Sequence, residues 1–235
     1  MNLSRHGLRV IAAGLVVGML TPSGLSGSET GATITGRIMF RGAVPSPHVV
    51  SVDRDPDVCG KTVTVSSLVV DVSTHGLRDA VVSMEGAGSS PVQAPSAGLI
   101  VNQNCTFSPR VGAAALGQAI EVLNQDPVMH NTHVTHDEKT FLNVAQVPGG
   151  RPIRKLFKKA GIHHVVCDAH KFMEGYVVVF EHPHFTVSGR SGEFRLLGIP
   201  PGPRELTVWH EALGPLRKTV VVPPNGELVV NVEYP

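Results

Sequence analysis

The sequence predicts an all-β protein with more strands than one minimal sheet can hold. Three observations carry that reading. Short apolar or alternating runs recur along the chain, glycine, proline and asparagine punctuate them, and no stretch keeps a 3.6-residue apolar period for long. With 25 Gly and 18 Pro the chain holds enough turn material for many short strands. A hydrophobic fraction of 42% supports an ordinary core, and 17% charged residues argue against general disorder. The net charge of +1 excludes the basic footprint of a nucleic-acid binder.

From the N-terminus, Arg5 and Arg9 precede the apolar run Val10–Leu20, and a small, polar Ser/Gly stretch follows. That layout predicts a secretory signal peptide over residues 1–28, cleaved near Ser26. The run is too short to span a bilayer comfortably, so the mature protein is expected to be soluble, periplasmic or secreted, with no membrane span. The strand candidates follow in order: "TITGRIMF", "SLVVDV", "DAVVSM", "GLIVN", "AIEVLN", "HHVVC", "GYVVVF", "GEFRLL", "ELTVWHE", "KTVVV" and "ELVVNVEY". Between the third and fourth lies "GSSPVQAPSAG" (88–98), which reads as a linker. A second break falls near His182-Pro183. The two breaks divide the chain into 29–96, 97–181 and 182–235. Near the end, Asn225-Gly226 predicts a tight hairpin turn, because both residues tolerate positive φ.

Export changes how the 3 cysteines are counted. An oxidising compartment permits one disulfide and leaves one thiol over. Cys59 and Cys105 are the natural pair, because Cys167 has metal-binding neighbours. Closing that loop stabilises a fold by roughly 3–4 kcal/mol in the chain-entropy account.

Those neighbours stand in "VVCDAHKFMEGYVVV", where Cys167, His170 and Met173 follow one another at three-residue steps. Thiolate with thioether favours a soft or borderline ion, and imidazole narrows the choice towards copper. Zinc would use more thiolates, or no thioether. A His₂Cys copper site with a weak axial Met needs a second histidine, and His130 in "NQDPVMHNTHV" follows a strand and a turn. Ligands drawn from a strand and one tight loop make a rigid site, which suits electron transfer.

On these residues the segment "LNQDPVMHNTHV…AGIHHVVCDAHKFMEGYVVV" resembles the copper-binding half of a cupredoxin, most closely the amicyanin subgroup. The resemblance implies a Greek-key sandwich and one type 1 copper held by His130, Cys167, His170 and Met173. It also implies that Asn131 ties the two ligand-bearing loops together by hydrogen bonds. "NCTFSPRV" resembles an early cupredoxin strand, and Gly117 the turn before the next one. Amicyanins carry proline on both sides of the loop histidine, and here Ala169 and Lys171 take those places. Ala169 keeps an amide N–H that is expected to donate to the Cys167 sulfur and raise the potential.

The segment "TVSGRSGEFRLLGIPPGPRELTVWHEALGPLRKTVVV" resembles the second part of a carboxypeptidase-regulatory-like (transthyretin-like, or prealbumin-like) β-sandwich. "ITGRIMF" and "LRDAVVSM" resemble its first part, so either the cupredoxin is inserted into that module or the two are sequential domains and the cupredoxin has an extended N-terminus. In the module Trp209 is either a core residue or a platform for carbohydrate. Arg151, Arg154, Lys155, Lys158 and Lys159 concentrate basic charge in "RPIRKLFKK", a solvated segment or a docking patch for an acidic redox partner. His133, His136, His163, His164, His182, His184 and His210 are read as surface or hydrogen-bonded histidines, with a second metal site as the sharper alternative. No Ser/His/Asp order or paired-carboxylate context points to a hydrolase. The expected function is single-electron transfer between a donor and an acceptor protein, with no catalysis. The alternative is copper handling, or sugar or surface binding, without redox traffic.

Overall fold

The computed structural model describes residues 31–85 and 98–235. The signal peptide and most of the linker expected from the sequence lie outside the described residues. The chain opens with β1 (Ala32–Phe40), β2 (His48–Ser51), a one-turn helix α1 (Pro56–Cys59), β3 (Thr62–Val65) and β4 (Val81–Met84). Nine strands follow: β5 (Leu99–Gln103), β6 (Thr106–Ser108), β7 (Val111–Ala115), β8 (Ala119–Asn124), β9 (His130–His136), β10 (Lys139–Gln146), β11 (Ile153–Leu156), β12 (Gly161–Val166) and β13 (Glu174–Phe180). The chain closes with β14 (Phe185–Val187), β15 (Glu193–Ile199), β16 (Gly202–His210), β17 (Gly214–Val222), β18 (Glu227–Val229) and β19 (Val232–Tyr234).

Among the described residues, strands β5–β13 pair in sheets only with one another. They form a sheet of order β10-β9-β12-β13-β7 and a second of order β11-β8-β5-β6. Ile120, Val122, Val134, Phe157 and Val165 pack between them, and Cys167 and Met173 belong to the same buried cluster. This is a cupredoxin-like β-sandwich in its arrangement of strands. The remaining strands come from both ends of the chain. β1 pairs with β15, β18 and β19, while β4 lies between β14 and β16 with β17 beyond. Their two sheets enclose Ile34, Ile38, Leu77, Met84, Leu196 and Leu206. Segments before and after the middle strands therefore share one core.

A small third cluster, Val81, Val111 and Val178 with Trp209 and Tyr176 against it, joins the two units. Arg110, just before β7, reinforces the junction through a hydrogen-bonded ion pair with Glu211 and a second contact to Asp79 at 3.6 Å. Among the described residues β2 and β3 pair only with each other. A cleft of about 560 Å³ separates this hairpin and its connecting residues Asp53 and Arg54 from residues 169–172.

Two strand expectations are corrected. "SLVVDV" contributes only an isolated bridge, Val70 to Leu77. Asp71 Oδ1 accepts the amide N–H groups of Ser73 at 3.1 Å and Thr74 at 2.9 Å, which turns the chain before a ladder can grow. The Asn225-Gly226 hairpin is also absent. β17 pairs with β16, and β18 crosses to run parallel with β1. Pro223 and Pro224 have no N–H with which to extend the β17 ladder. Gly226 does take positive φ (85°), but its carbonyl accepts from Thr33 in the other sheet.

Candidate metal centre

The site forms where two strands of one sheet end side by side. His130 opens β9, and Cys167 follows directly on β12, which pairs antiparallel with β9. Residues 167–173 close a compact loop. Met173 donates its amide to His170 O at 2.9 Å, and Cys167 donates to Met173 O at 3.3 Å before β13 begins.

That folding gathers three donors. One ligand atom each from His130, Cys167 and His170 lies within 4.8 Å of the others, and all three residues are buried. Cys167 Sγ is 3.7 Å from His170 Nδ1. Met173 is buried in the same apolar cluster as Cys167. Cys167 is free, and Cys59 and Cys105 form the disulfide expected from the sequence.

Each imidazole is held from behind by a carboxylate. His130 Nε2 lies 2.8 Å from Asp126 Oδ2, and His170 Nε2 lies 3.1 Å from Asp55 Oδ2. With Nε2 engaged, Nδ1 is the nitrogen each ring offers. His130 Nδ1 is fully buried and has no hydrogen-bond partner among the described residues. A buried polar atom without a partner is costly, and one aimed at a thiol and a second imidazole suits a metal ion. Burial pushes His130 below the ordinary imidazole range, against the opposing pull of Asp126. A neutral ring is the form that ligates. The donor set of two imidazoles and one thiol therefore fits copper.

The backbone supports the sulfur. Asn131 N–H and His170 N–H point at Cys167 Sγ, at 3.4 and 3.3 Å. Asn131 also accepts the Asp168 amide at 3.3 Å, so its side chain and its backbone both bridge the two loops. Ala169 is corrected in one respect. The loop amide that reaches the sulfur belongs to His170, the third residue after Cys167, where a tight turn brings an N–H back over its start. Ala169 instead packs, half-buried, against the apolar cluster.

Sequence reasoning missed Asp126 and Asp55. Asp126 stands four residues before His130 and was within reach of a local argument. Asp55 comes from the α1 segment of the outer part and has no local signal.

The basic segment divides. Lys155, Lys158 and Lys159 line a pocket with Lys139, His136 and His163, whereas Arg151 and Arg154 are not part of its wall. His136 ends β9, the strand that His130 begins, so this pocket lies roughly 20 Å from the site at 3.3 Å per residue. The other histidines have partners of their own. His133 meets Asp168 and Thr140, His136 meets the Ala160 carbonyl, and His164 meets Glu174. His163 is buried among Phe141, Phe157 and His136. His182 and His184 stack with ring centroids 6.2 Å apart. Among the described residues, the only other cluster of three metal donors contains Cys105, whose sulfur is committed to the disulfide. Trp209 packs edge-on against Tyr176 at 5.6 Å.

No protein-family model matches the chain, and no curated protein matches it. Solved structures that resemble part of it include a Cu-containing nitrite reductase, amicyanin and a purple cupredoxin. A Cu-containing nitrite reductase from Thermus scotoductus SA-01 is 21% identical with a TM-score of 0.34, covering 42% of this chain and 25% of its own. This chain thus spans a quarter of the length of that protein. A reduced tyrosine-for-tryptophan variant of amicyanin is 18% identical (TM-score 0.33), covering 42% of this chain and 97% of its own. A purple cupredoxin from Nitrosopumilus maritimus is 22% identical (TM-score 0.31), covering 35% and 98%.

Proposed function

We propose that this chain is an exported type 1 copper protein that carries single electrons between redox partners and transforms no substrate itself. One observation carries the reading: a buried thiol and two imidazoles converge, and His130 Nδ1 has no other partner. Copper at this site would supply a one-electron couple between Cu(I) and Cu(II). His130, Cys167 and His170 would hold it, with Met173 as a weak fourth donor. The protein's part is to keep those ligands still and water away. Two carboxylates fix the rings, two amides stabilise charge on the sulfur, and Val134, Val165 and Val177 belong to the apolar cluster that contains Cys167. Ligands that barely move between oxidation states make electron transfer fast.

Burial of all three donors favours this reading over copper delivery, which gains from open, exchangeable ligation. The packed position of Trp209 gives the carbohydrate alternative little to work with. In this proposal residues 97–181 are the copper unit, inserted into a carboxypeptidase-regulatory-like sandwich made by 29–96 and 182–235. The protein acts in the periplasm or outside the cell. Among the described residues no helix is long and apolar enough to cross a membrane. Partners with acidic surfaces would be drawn to the lysine pocket, so that region would serve encounter, and transfer itself would occur nearer the loop.

Copper(II) added to the purified protein should give an intense blue thiolate-to-copper absorption that a reductant bleaches reversibly. Cys167→Ser should abolish the colour, since a hydroxyl is neither soft nor readily ionised. A wild-type protein that stays colourless, or a variant that stays blue, overturns the proposal.

A further inference from the structure

Asp55 reaches the site from outside the copper unit. It stands at the N-cap of α1 with φ 53°, a left-handed conformation that aspartate tolerates better than most residues. Its carbonyl accepts the amides of Val58 and Cys59 at 3.0 and 2.9 Å, closing the helical turn. An aspartate at this position ordinarily turns its carboxylate onto the free amides of the first turn. Here the side chain makes no such bond. The carboxylate is turned instead onto His170 Nε2 at 3.1 Å, while the ring itself is completely buried.

The segment that delivers Asp55 is anchored at one covalent point. Cys59, the last residue of α1, is bonded to Cys105. The Cys105 and Asn104 amides donate to the two oxygens of Asp126, at 2.9 and 2.7 Å, and Asp126 in turn holds His130. The disulfide therefore ties together the supports of both imidazoles. On one side is Asp126, inside the copper unit, and on the other is Asp55, outside it. No sheet performs this service, because the neighbouring β2 and β3 pair only with each other and the cleft separates them from the ligand loop.

We infer that Asp55 is a positioning residue for His170, and that the Cys59–Cys105 disulfide is the device that presents it. By accepting from Nε2–H, the carboxylate fixes the tautomer that leaves Nδ1 bare and turns that nitrogen towards Cys167. It also makes the ring a stronger donor. The inference rests on the copper reading for its consequence, but its geometric core concerns the metal-free protein.

The first test needs no copper. Nitrogen NMR of the metal-free protein should find His170 as a single Nε2–H tautomer. Asp55→Ala should convert it to a mixture, and Asp55→Asn, which retains an acceptor oxygen, should restore it. The second test titrates Cu(II). Asp55→Ala should weaken binding by about 10–100-fold, the usual loss when a partner behind a metal ligand is removed, and Asp55→Asn by less. It should also shift the potential and the charge-transfer band, which loss of a merely structural contact would leave in place. The double variant Cys59→Ser/Cys105→Ser should behave as Asp55→Ala in both experiments. A wild-type tautomer in Asp55→Ala overturns the positioning role. A wild-type tautomer in the double variant overturns the part given to the disulfide. Should the double variant not fold, Asp55→Ala decides the positioning role, since the Asp55 carboxylate is partly exposed and lies outside both cores. Reduction of the disulfide in the folded protein, read by the same tautomer, then decides the disulfide's part. Failure of the wild type to bind copper would sink the electron-transfer reading while leaving the tautomer result to stand on its own.

Discussion

A thioether is a weak donor to an ion already held by two imidazoles and a thiolate, so Met173 would tune the couple more than it binds the metal. Met173→Leu should keep copper bound and coloured while raising the potential, because Cu(I) tolerates three-coordination better than Cu(II). Met173→Gln should lower it, since a harder oxygen donor favours Cu(II). Cyclic voltammetry on the three forms measures both shifts. If both variants lose copper, or neither moves the potential, Met173 is not a ligand. At this scale much of the site was legible in the sequence. Cys167 and His170 stand out because a turn brings residues three apart together, and His130 because it follows a strand and a turn; Met173 shares the apolar cluster of Cys167. Asp55 was not legible, because its contact with His170 joins segments 115 positions apart and leaves no local pattern.

The strands show where pattern reading works and where it is blinded. β13 and β15 were visible as apolar or alternating runs, and both are strands. β9 was hidden although it alternates faithfully, because its buried positions include His130 and Thr132, which no hydropathy pattern counts as core. "ELVVNVEY" was read as one strand but is two, β18 and β19, which flank β1 in succession. The break between them falls at Val230, whose carbonyl crowds Gly36 of β1. A Cβ at Gly36 would sit 1.8 Å from that oxygen. Gly36→Ala must therefore push two strands apart, at a cost of about 1–3 kcal/mol by the usual scale of overpacking. For a chain of this size that lowers the melting temperature by roughly 2–4 °C per kcal/mol. A calorimetric scan showing no change would mean that β18 and β19 do not hold β1 at this point.

For the molecule as a whole, the buried charges at the junction make stability depend on pH. His210 is completely buried, and its Nδ1 accepts the Ala212 amide at 3.2 Å. Burial, with the Arg110 guanidinium nearby, holds its pKa down from 6.5 to about 4. The unfolded chain therefore takes up this proton first on acidification. Stability is complete above the unfolded value of 6.5 and is lost as pH falls towards 4. Between pH 7 and pH 5 this group should remove about 2 kcal/mol, measurable by urea unfolding. Burial lowers His163 and His182 too, and they act in the same sense. Burial raises Glu211 and acts in the opposite sense, so the comparison with His210→Gln isolates the histidine. A variant with the wild-type slope would exclude it. None of this was legible beforehand. The sequence shows that charges are present but not which of them the folded surfaces enclose.

The placement of β1 and β4 has a kinetic consequence. Ile34 pairs with Leu196 and Val82 with Thr186, so β1 and β4 have no sheet partners until the segment after residue 184 is made. The nine middle strands need only one another. Contacts between distant segments carry a larger loop-closure cost and form late, so the middle sandwich should close first and the outer sheets afterwards. The single tryptophan reports on this directly, because Trp209 lies in β16, which pairs with β4. In refolding from urea, its fluorescence should recover more slowly than Cys167 becomes protected from thiol reagents. The protein would thus pass through a stage in which the ligand loop is built while the outer strands are still unpaired.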